Sequence, residues 1–270
     1  MSTKQQFLSL LTGSFSMGAA DNPTVAIIEA AYRHHGIDAR YINCEVPPED
    51  LAAAVAGARA MGWRGFNCSI PHKNAVIGHI DGLAPSAAII GAVNCVVIRD
   101  GKLIGENTDG KGFLSSLAAA IDPAGRSMVI LGAGGAAKAI AVESALAGVA
   151  RIVVVNRDAG RGGALAQTIN DNTDCRAEYL AWSPGLALPQ ADIVVNATSV
   201  GLAPHGDVAP HVDPDSLRAG TLVADVIPNP PVTRFLAEAE RRGCRTLNGL
   251  GMLVAQAVIS IRLWTGEDVA

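Results

Sequence analysis

Short apolar runs alternate with segments of helical periodicity along the first half of the chain, and this alternation predicts an α/β fold. In chain order, strand, helix, strand, helix and strand are predicted over residues 6–12, 23–35, 37–46, 48–61 and 65–70. A hairpin is predicted over residues 93–106, because the Asp100-Gly101 pair at its centre suits a type I′ turn. A further helix is predicted over residues 109–121.

The pattern changes after residue 123, where the strands become continuously apolar. Strands are predicted over residues 128–131, 152–155, 193–195 and 221–224, and helices over residues 136–146 and 251–264. Continuous apolar strands are typical of a parallel sheet that is covered on both faces. We therefore predict a domain boundary near residue 108, and we expect the last helix to return to the first domain.

The composition narrows the class of protein. The 270 residues are 49% hydrophobic and only 17% charged, with a net charge of −4 and a mean hydropathy of +0.28. A chain this apolar can bury a large core, which excludes a disordered protein. Since it has no basic block, no nucleic-acid partner is expected. The longest uncharged stretch, residues 82–98, contains Pro85, Ser86 and Asn94 and falls short of the roughly 20 mainly apolar residues of a membrane span. The N-terminus is a poor signal peptide, so no membrane partner is expected either.

The cysteines and histidines indicate neither disulfides nor a metal. The five cysteines are odd in number and scattered, which favours reduced thiols in a cytoplasmic protein. The six histidines do not cluster with cysteines or carboxylates at ligand spacing, so no metal is expected. His72, beside a candidate functional lysine, is expected to be a structural hydrogen-bonding residue.

A glycine-rich turn joins a predicted strand to a predicted helix at residues 132–137, which read Gly-Ala-Gly-Gly-Ala-Ala. In that context the G-x-G-x-x-(G/A) pattern predicts a dinucleotide site, because residues without side chains let the backbone approach a pyrophosphate at the helix N-terminus. The candidate cofactor-binding residues of this turn are Gly132, Gly134, Gly135 and Ala136. The alternative is a tight turn without a ligand.

The next predicted strand ends in residues that bear on the choice between NADP and NAD. Asp158 could accept hydrogen bonds from ribose hydroxyls, whereas Arg157 and Arg161 favour a 2′-phosphate. Asn156 belongs to the same candidate cofactor-binding segment. Because both kinds of charge are present, the choice between NADP and NAD stays open. The alternative interpretation of these charged residues is a solvated loop that binds no cofactor.

Three polar segments lie in the first half of the chain, at residues 65–73, 91–94 and 105–110. Lys73 and Asp109 suit a proton-transfer pair at a substrate alcohol, in which one group accepts the hydroxyl proton and the other orients it. Ligands commonly bind between domains, which favours this interpretation near the predicted boundary. Alternatively, Lys73 is a surface cation and the segment before Asp109 is a helix N-cap.

Taken together, these motifs resemble the shikimate/quinate dehydrogenase family over nearly the whole chain. The segments that carry the resemblance lie at residues 67–73, 91–94, 107–113, 132–137, 196–201 and 248–256. The resemblance implies a two-domain α/β enzyme, with a substrate-binding and catalytic domain over residues 1–107 plus 240–270. A Rossmann-type, doubly wound parallel-sheet domain that binds the dinucleotide is implied over residues 108–239.

The implied reaction is reversible hydride transfer between NADP or NAD and a ring alcohol. Shikimate is the default substrate and quinate the next, with a place in aromatic amino acid biosynthesis. The expected partners are this small molecule and the dinucleotide, in a monomer or a homodimer.

The resemblance also assigns roles to individual residues. Lys73 and Asp109 are implied to be the catalytic pair. Hydrogen bonds to ring hydroxyls are implied for Ser69, Asn94 and Gln256. Converging polar groups of this kind reject an analogue that lacks a hydroxyl. Cofactor contacts are implied for Thr198 and for the backbone of Gly251 and Met252.

One segment departs from the family pattern. The family carries His-Ser-x-Ser-Pro after its first strand, and its two serines bind the substrate carboxylate. When Pro23 is aligned with the family proline, Ala20 and Asn22 occupy the serine positions. Ser14 and Ser16 have the right mutual spacing but lie earlier in the chain. The candidate substrate-binding residues of this segment are therefore Ser14, Ser16 and Asn22.

Two alternatives to a cyclic acid substrate follow from this departure. Asp21 would repel a carboxylate, and Pro228 replaces a tyrosine that the family often carries near the substrate. The first alternative is a dehydrogenase of a carboxylate-free cyclitol. The second is a non-catalytic dinucleotide-binding protein that senses redox state or regulates a partner.

Overall fold

The computed structural model describes residues 8–270, which divide into two compact units. The first unit contains residues 8–108 and 257–270, and the second contains residues 109–256. Residues 6 and 7, at the start of the first predicted strand, lie outside the described part of the chain. None of the helices within residues 8–270 combines the length and apolar character that crossing a lipid bilayer demands.

The first unit is built on one mixed sheet. Its strands are β1 (Leu10–Ser16), β2 (Ala39–Glu45), β3 (Gly65–Cys68), β4 (Gly82–Leu83), β5 (Cys95–Arg99) and β6 (Lys102–Glu106). Its helices are α1 (Thr24–His34), α2 (Leu51–Ala60), α3 (His72–Ala75) and α4 (Pro85–Ile90), with 3₁₀ turns at Ala19–Asp21, Pro48–Asp50 and Val76–His79. The strand order is β2-β1-β3-β5-β6-β4. Because β1, β2 and β3 are parallel, their carboxyl ends meet at one edge of the sheet.

The predicted hairpin is confirmed. Strands β5 and β6 pair antiparallel, and the turn residues Asp100 and Gly101 have φ angles of 50° and 73°. A type I′ turn requires positive φ at both central residues.

The first strand runs further than predicted, to Ser16 instead of residue 12. Ser14 and Ser16 are buried although they are polar. A strand predicted from hydrophobicity ends where apolar residues are followed by serine and glycine. Such a prediction therefore misses a strand that continues with buried polar side chains.

The second unit contains a fully parallel sheet. Its strands are β7 (Ser127–Leu131), β8 (Arg151–Asn156), β9 (Arg176–Ala181), β10 (Ile193–Asn196), β11 (Leu222–Asp225) and β12 (Arg245–Leu247). Its helices are α5 (Thr108–Ala118) from Asp109 onward, α6 (Gly135–Leu146), α7 (Ala159–Asn172), α8 (Arg234–Glu240) and the first half of α9 (Gly249–Thr265). The strand order is β9-β8-β7-β10-β11-β12, with all neighbours parallel.

This order is the 3-2-1-4-5-6 arrangement of a doubly wound sheet. The predicted α/β fold with a Rossmann-type parallel sheet is therefore confirmed. The strand order reverses between β7 and β10, and ligands of such sheets bind beyond the carboxyl ends of the strands at this switch point.

The second unit extends further along the chain than residues 108–239. Strand β12 pairs in parallel with β11, so residues 245–247 belong to the second sheet. The chain rejoins the first unit at Ala257, within α9.

Candidate functional site

The glycine turn between β7 and α6 lies at the switch point of the parallel sheet. Gly132 has a φ of 105°, and a Cβ built there would lie 3.0 Å from Thr198 Cγ2. Gly134 and Gly135 differ, because a Cβ at either position would meet no atom within 4 Å. The turn thus packs closely against the Thr198 loop at one end and faces open space where α6 begins. Open backbone at a helix N-terminus suits a pyrophosphate, so the residues present fit a bound dinucleotide.

The loop after β10 is held by a buried amide. Asn196 Oδ1 accepts hydrogen bonds from the N–H of Thr198 at 3.2 Å and from its hydroxyl at 2.7 Å. Its Nδ2 donates to both carboxylate oxygens of Asp225 at 3.1 Å. Asp225 also accepts from the Thr233 hydroxyl at 2.8 Å. Burial raises the pKa of the Asp225 carboxyl. This network positions Thr198 beside Gly132.

The carboxyl end of β8 carries the charges that bear on cofactor choice. Asp158 is the N-cap of α7: its Oδ1 accepts the N–H of Arg161 at 3.0 Å, and its Oδ2 lies 3.3 Å from the Arg161 Nε. The backbone hydrogen bond from Arg161 lowers the pKa of Asp158. Asn156 Nδ2 donates to the Asp158 carbonyl at 2.9 Å. The Asp158 carboxylate is therefore already engaged within its own helix cap.

A cavity of about 410 Å³ opens beside these residues. Asn156 and Arg157 line one side, Thr198 and Ser199 another, and Trp182 a third. Its position at the carboxyl ends of β8 and β10 suits the adenosine part of a dinucleotide.

In the first unit, the carboxyl ends of β1, β2 and β3 present a buried polar face, formed by Ser14, Ser16, Asn43 and Asn67. The Ser14 hydroxyl donates to Asn43 Oδ1 at 2.9 Å, and the Asn22 amide donates to Ser14 Oγ at 3.5 Å. Ser16 Oγ is buried and has no hydrogen-bond partner among residues 8–270. The structure thus brings the predicted residues Ser14 and Asn22 together and places both serines inside β1.

Asn67 and Tyr41 complete this face. The Tyr41 hydroxyl donates to Asn67 Oδ1 at 2.8 Å, and Asn67 Nδ2 donates to the Asn94 carbonyl at 3.0 Å. Burial raises the pKa of the Tyr41 hydroxyl. Neither Tyr41 nor Asn43 was predicted as a site residue, because nothing local in the sequence distinguishes a polar residue on the buried side of a strand from one on the exposed side.

Asn94 holds the start of α5. Its Oδ1 accepts the N–H of Thr108 at 2.6 Å, and both residues are buried. The neighbouring Asn107 donates its amide to the Ala92 carbonyl at 3.1 Å. Asp109 is the next residue along the chain and is half-buried. The backbone that carries Asp109 is therefore anchored by two buried amides.

Lys73 lies in α3, the short helix that follows β3. It is half-buried, and its carbonyl accepts the N–H of Val93 at 2.8 Å. Ser69 begins this segment, with its N–H donating to the Phe15 carbonyl at 3.2 Å. The ring of His72 is fully buried, with Nε2 2.8 Å from the Val46 carbonyl oxygen. The structural role predicted for His72 is confirmed, because a carbonyl oxygen can only accept that bond.

The predicted residues of α9 lie along its first half. A Cβ at Gly251 would lie 2.2 Å from the Ser116 Oγ, and one at Gly112 would lie 2.9 Å from the Met252 carbonyl oxygen. Both glycines thus allow α5 and α9 to approach closely. Gln256 is buried and donates to the Leu253 carbonyl at 3.1 Å. No group of histidines, cysteines and carboxylates within residues 8–270 has the arrangement of a metal site.

Three family models match successive parts of the chain. The shikimate dehydrogenase substrate binding domain matches residues 21–96, the shikimate / quinate 5-dehydrogenase model residues 116–204, and the shikimate 5′-dehydrogenase C-terminal domain residues 249–270. A curated relative, the shikimate dehydrogenase (NADP(+)) of Moorella thermoacetica, is 44% identical over 88% of this chain and 82% of its own length.

Two solved structures are similar over almost the whole chain. The ligand-free 5-ketofructose reductase of Gluconobacter sp. strain CHM43 is 60% identical, with a TM-score of 0.94 over 97% of this chain and 95% of that one. The shikimate 5-dehydrogenase of Listeria monocytogenes, in complex with shikimate and NAD, is 35% identical, with a TM-score of 0.93 over 99% of this chain and 96% of that one. The resemblance inferred from the motifs is confirmed: the chain belongs to the shikimate/quinate dehydrogenase family and is an NAD(P)-dependent oxidoreductase.

Proposed function

We propose that this chain is an NADPH-dependent reductase of an uncharged polyhydroxy ketone of the 5-ketofructose type, which runs in reverse as an alcohol dehydrogenase. The loop after β1 carries the proposal. Ala20 and Asn22 stand at the two serine positions of the family pattern, and the Asn22 amide is bonded within the protein to Ser14 Oγ. An uncharged ketone needs no serine pair for a carboxylate. The 60% identity to a 5-ketofructose reductase supports this substrate class.

Oxidation of shikimate is the second candidate function. Curated shikimate dehydrogenases are 44% and 39% identical to the chain. Ser69, Asn94 and Gln256 stand at the positions that the resemblance assigns to ring hydroxyls. A reductase of either substrate needs these hydroxyl partners, so they do not discriminate between the two candidates.

Lys73 and Asp109 are the proposed catalytic pair. The dinucleotide, when bound, supplies the hydride to the carbonyl carbon. The Lys73 ammonium donates a hydrogen bond to the carbonyl oxygen, where negative charge develops, and the pair supplies the proton that completes the alcohol. Partial burial of Lys73 strengthens this interaction, since the effective dielectric constant there is below that of water.

The proposed dinucleotide contacts run along the carboxyl ends of the parallel strands. Gly132, Gly134, Gly135 and Ala136 hold the pyrophosphate at the start of α6, and the 410 Å³ cavity takes the adenosine. Backbone groups of Gly251 and Met252 are proposed to meet the nicotinamide. A preference for NADP over NAD is proposed because the Asp158 carboxylate already bonds the N–H and side chain of Arg161, while Arg157 lines the cavity.

The test is steady-state reduction of 5-ketofructose and of 3-dehydroshikimate with NADPH, followed by loss of nicotinamide absorbance. The proposal expects kcat/KM for 5-ketofructose to exceed that for 3-dehydroshikimate by about a hundredfold or more, the range reached when a site lacks the partner of a substrate group. A preference for 3-dehydroshikimate would establish the second candidate instead.

We also propose a location and an oligomeric state for the protein. No disulfide joins the five cysteines, all of which lie within residues 8–270, and this supports a cytoplasmic location. Cell fractionation tests it. We also propose a monomer or homodimer, which sedimentation equilibrium distinguishes. A role in aromatic amino acid biosynthesis goes with the shikimate candidate alone, and complementation of a shikimate-requiring strain tests it.

A further inference from the structure

The carboxylate of Glu45 is bound by the loop that follows β1. Its Oε1 accepts the N–H of Gly18 at 2.8 Å, and its Oε2 accepts the N–H of Ala19 at 2.6 Å. These distances are those of charge-assisted hydrogen bonds. The two donors lie in the segment where the family pattern has its carboxylate-binding serines, so a carboxylate of the chain itself already occupies the backbone donors there.

The side chain of Glu45 shares a face of the sheet with Ser14 and Ser16. In the parallel ladder, Ser14 pairs with Asn43 and Ser16 with Glu45. Paired residues on neighbouring strands point to the same side, and their backbones are about 4.8 Å apart. Phe15, between the serines, packs on the opposite side against Trp63 and Phe66. Glu45 therefore stands at the exposed end of the polar face.

Ser16, a candidate substrate-binding residue, is the ladder partner of Glu45. Its hydroxyl is buried and has no hydrogen-bond partner among the described residues, and Ser16 is only 2% exposed. A buried hydroxyl without a partner is costly, and on this polar face it makes Ser16 Oγ a candidate hydrogen-bonding group for a ligand. Ser16 pairs with Glu45 in the ladder, so a ligand that reaches Ser16 approaches the strand position that carries the Glu45 charge.

The loop that binds Glu45 favours the ionised form of its carboxyl. Backbone hydrogen bonds from Gly18 and Ala19 lower the pKa of this carboxyl below its ordinary value. A substrate hydroxyl can donate to an ionised carboxylate, whereas a substrate carboxylate is repelled by it.

We propose that Glu45 is a specificity-determining residue, whose carboxylate repels carboxylate-bearing substrates from the polar face at Ser16 and favours uncharged polyols. This inference rests on the proposed function, because it explains how the site comes to select an uncharged ketone. It adds a residue that is remote in sequence from the catalytic and cofactor motifs.

The test compares two ligands that share one ring and differ in charge, shikimate and its methyl ester. Their dissociation constants are measured by calorimetry on the NADP-loaded wild-type protein, on Glu45→Gln and on Glu45→Asp. Glu49→Gln is the matched control. It removes the same charge four residues further along, from an exposed residue of the 3₁₀ turn Pro48–Asp50 that is not part of the sheet.

In Glu45→Gln we expect the affinity for shikimate relative to its ester to rise about five- to tenfold, the effect of removing one partly screened charge at this range. Glu45→Asp, which keeps the charge, should stay near the wild-type ratio, and Glu49→Gln should match it. Raising the ionic strength on wild-type protein should shift the ratio in the direction of Glu45→Gln, since salt screens an exposed charge. The ionic-strength measurement uses only the wild-type protein, so its result does not depend on how the variants fold.

The inference is overturned if the ratio in Glu45→Gln equals the wild-type ratio, if Glu49→Gln shifts it equally, or if Glu45→Gln binds neither ligand. A failure of the proposed function looks different: wild-type protein would reduce 3-dehydroshikimate in preference to 5-ketofructose. Turnover by the wild-type protein tests the proposed function, and the affinity ratio across the variants tests the role of Glu45. Either hypothesis can therefore fail while the other is supported.

Discussion

At the scale of single residues, the role of a carboxylate in this chain depends on the donors around it. Asp158 caps α7 and pairs with Arg161. Asp225 is buried in a network that holds the Thr198 loop. Glu45 binds two backbone amides at the substrate loop. The sequence predicted a ribose position for Asp158, but it could not predict that the hydrogen-bonding capacity of this carboxylate is used within its own helix cap.

Arg157 is expected to carry the preference for NADP. Replacing it by alanine removes a cation that lines the adenosine cavity, so the KM for NADPH should rise about ten- to a hundredfold, as is typical when a charge-assisted bond to a phosphate is lost. The KM for NADH should change little. Arg176→Ala is the control, since Arg176 is an exposed arginine at the other end of the sheet, where β9 begins. Equal effects on NADPH and NADH would contradict this role.

Lys73 is expected to act in the chemical step and not in cofactor binding. Lys73→Met keeps much of the side-chain volume but removes the ammonium that we propose to meet the carbonyl oxygen. We expect kcat/KM to fall by about a thousandfold, within the range of general acid–base catalysis. The dissociation constant of NADPH, measured by fluorescence titration, should stay within about twofold of wild type. Activity near the wild-type level would remove Lys73 from the catalytic pair.

At the scale of elements, the site depends on where strands end and helices begin. The turn from β7 to α6 contains glycines of two kinds. Gly132 is required by its positive φ and its approach to Thr198, whereas Gly134 borders open space. Only the second kind is available to a ligand, so substitutions at the two positions should have separable effects.

Gly132→Ala should lower the stability of the fold by about 1–3 kcal/mol, the cost of a side chain in a disfavoured backbone region. Gly134→Ala should leave the melting temperature nearly unchanged, because the new methyl group meets no atom within 4 Å. It should nevertheless weaken NADPH binding about tenfold or more, since a methyl group keeps the pyrophosphate from the backbone. Thermal unfolding with and without NADPH measures both effects. Unaltered NADPH affinity in Gly134→Ala would contradict the assignment of this turn.

At the amino ends of the strands of the same sheet, Asp192 forms hydrogen bonds that connect the start of β10 to the start of β7. Its carboxylate accepts the Ser127 N–H at 2.9 Å and hydroxyl at 2.7 Å, and these bonds lower the pKa of Asp192. A carboxyl whose pKa is lowered by folding contributes stability above its unfolded pKa of about 4, and that contribution is lost as the pH falls through the folded pKa.

Asp192→Asn should therefore be less stable than wild type at neutral pH, by about 1 kcal/mol once its partial exposure is allowed for. The difference should shrink as the pH falls below about 4. Urea unfolding across this range measures it, and kcat/KM should be unchanged because Asp192 lies away from the site. A difference that is constant with pH would show that the charge is not responsible.

At the scale of the whole molecule, the sequence predicted what depends on periodic or local patterns. The parallel sheet follows from continuous apolar strands, and the dinucleotide turn from glycines between a strand and a helix. Helix α7 was missed, because Gly160, Gly162 and Gly163 are typical of a loop. In the structure, a Cβ at Gly162 would lie 2.4 Å from the Tyr179 ring, so this glycine serves close packing of the helix on β9.

Contacts set by strand register could not be predicted in this way. Glu45 meets Gly18 and Ala19 across 27 and 26 positions of sequence. No local pattern pairs them, since the contact exists only because β1 and β2 lie in a particular register. The burial of Ser16 could not be predicted from a local pattern either, because it depends on β1 continuing beyond the apolar residues at its start. The residues that we propose to govern substrate choice are thus brought together only in the assembled sheet.

The central claim is that this family member selects an uncharged polyhydroxy ketone over a cyclic acid. The most direct measurement is a competition in one vessel, with equal concentrations of 5-ketofructose and 3-dehydroshikimate, limiting NADPH and wild-type protein. The product ratio, read by NMR, equals the ratio of the two kcat/KM values. We predict that fructose accounts for nearly all of the product. Shikimate as the main product would contradict the account.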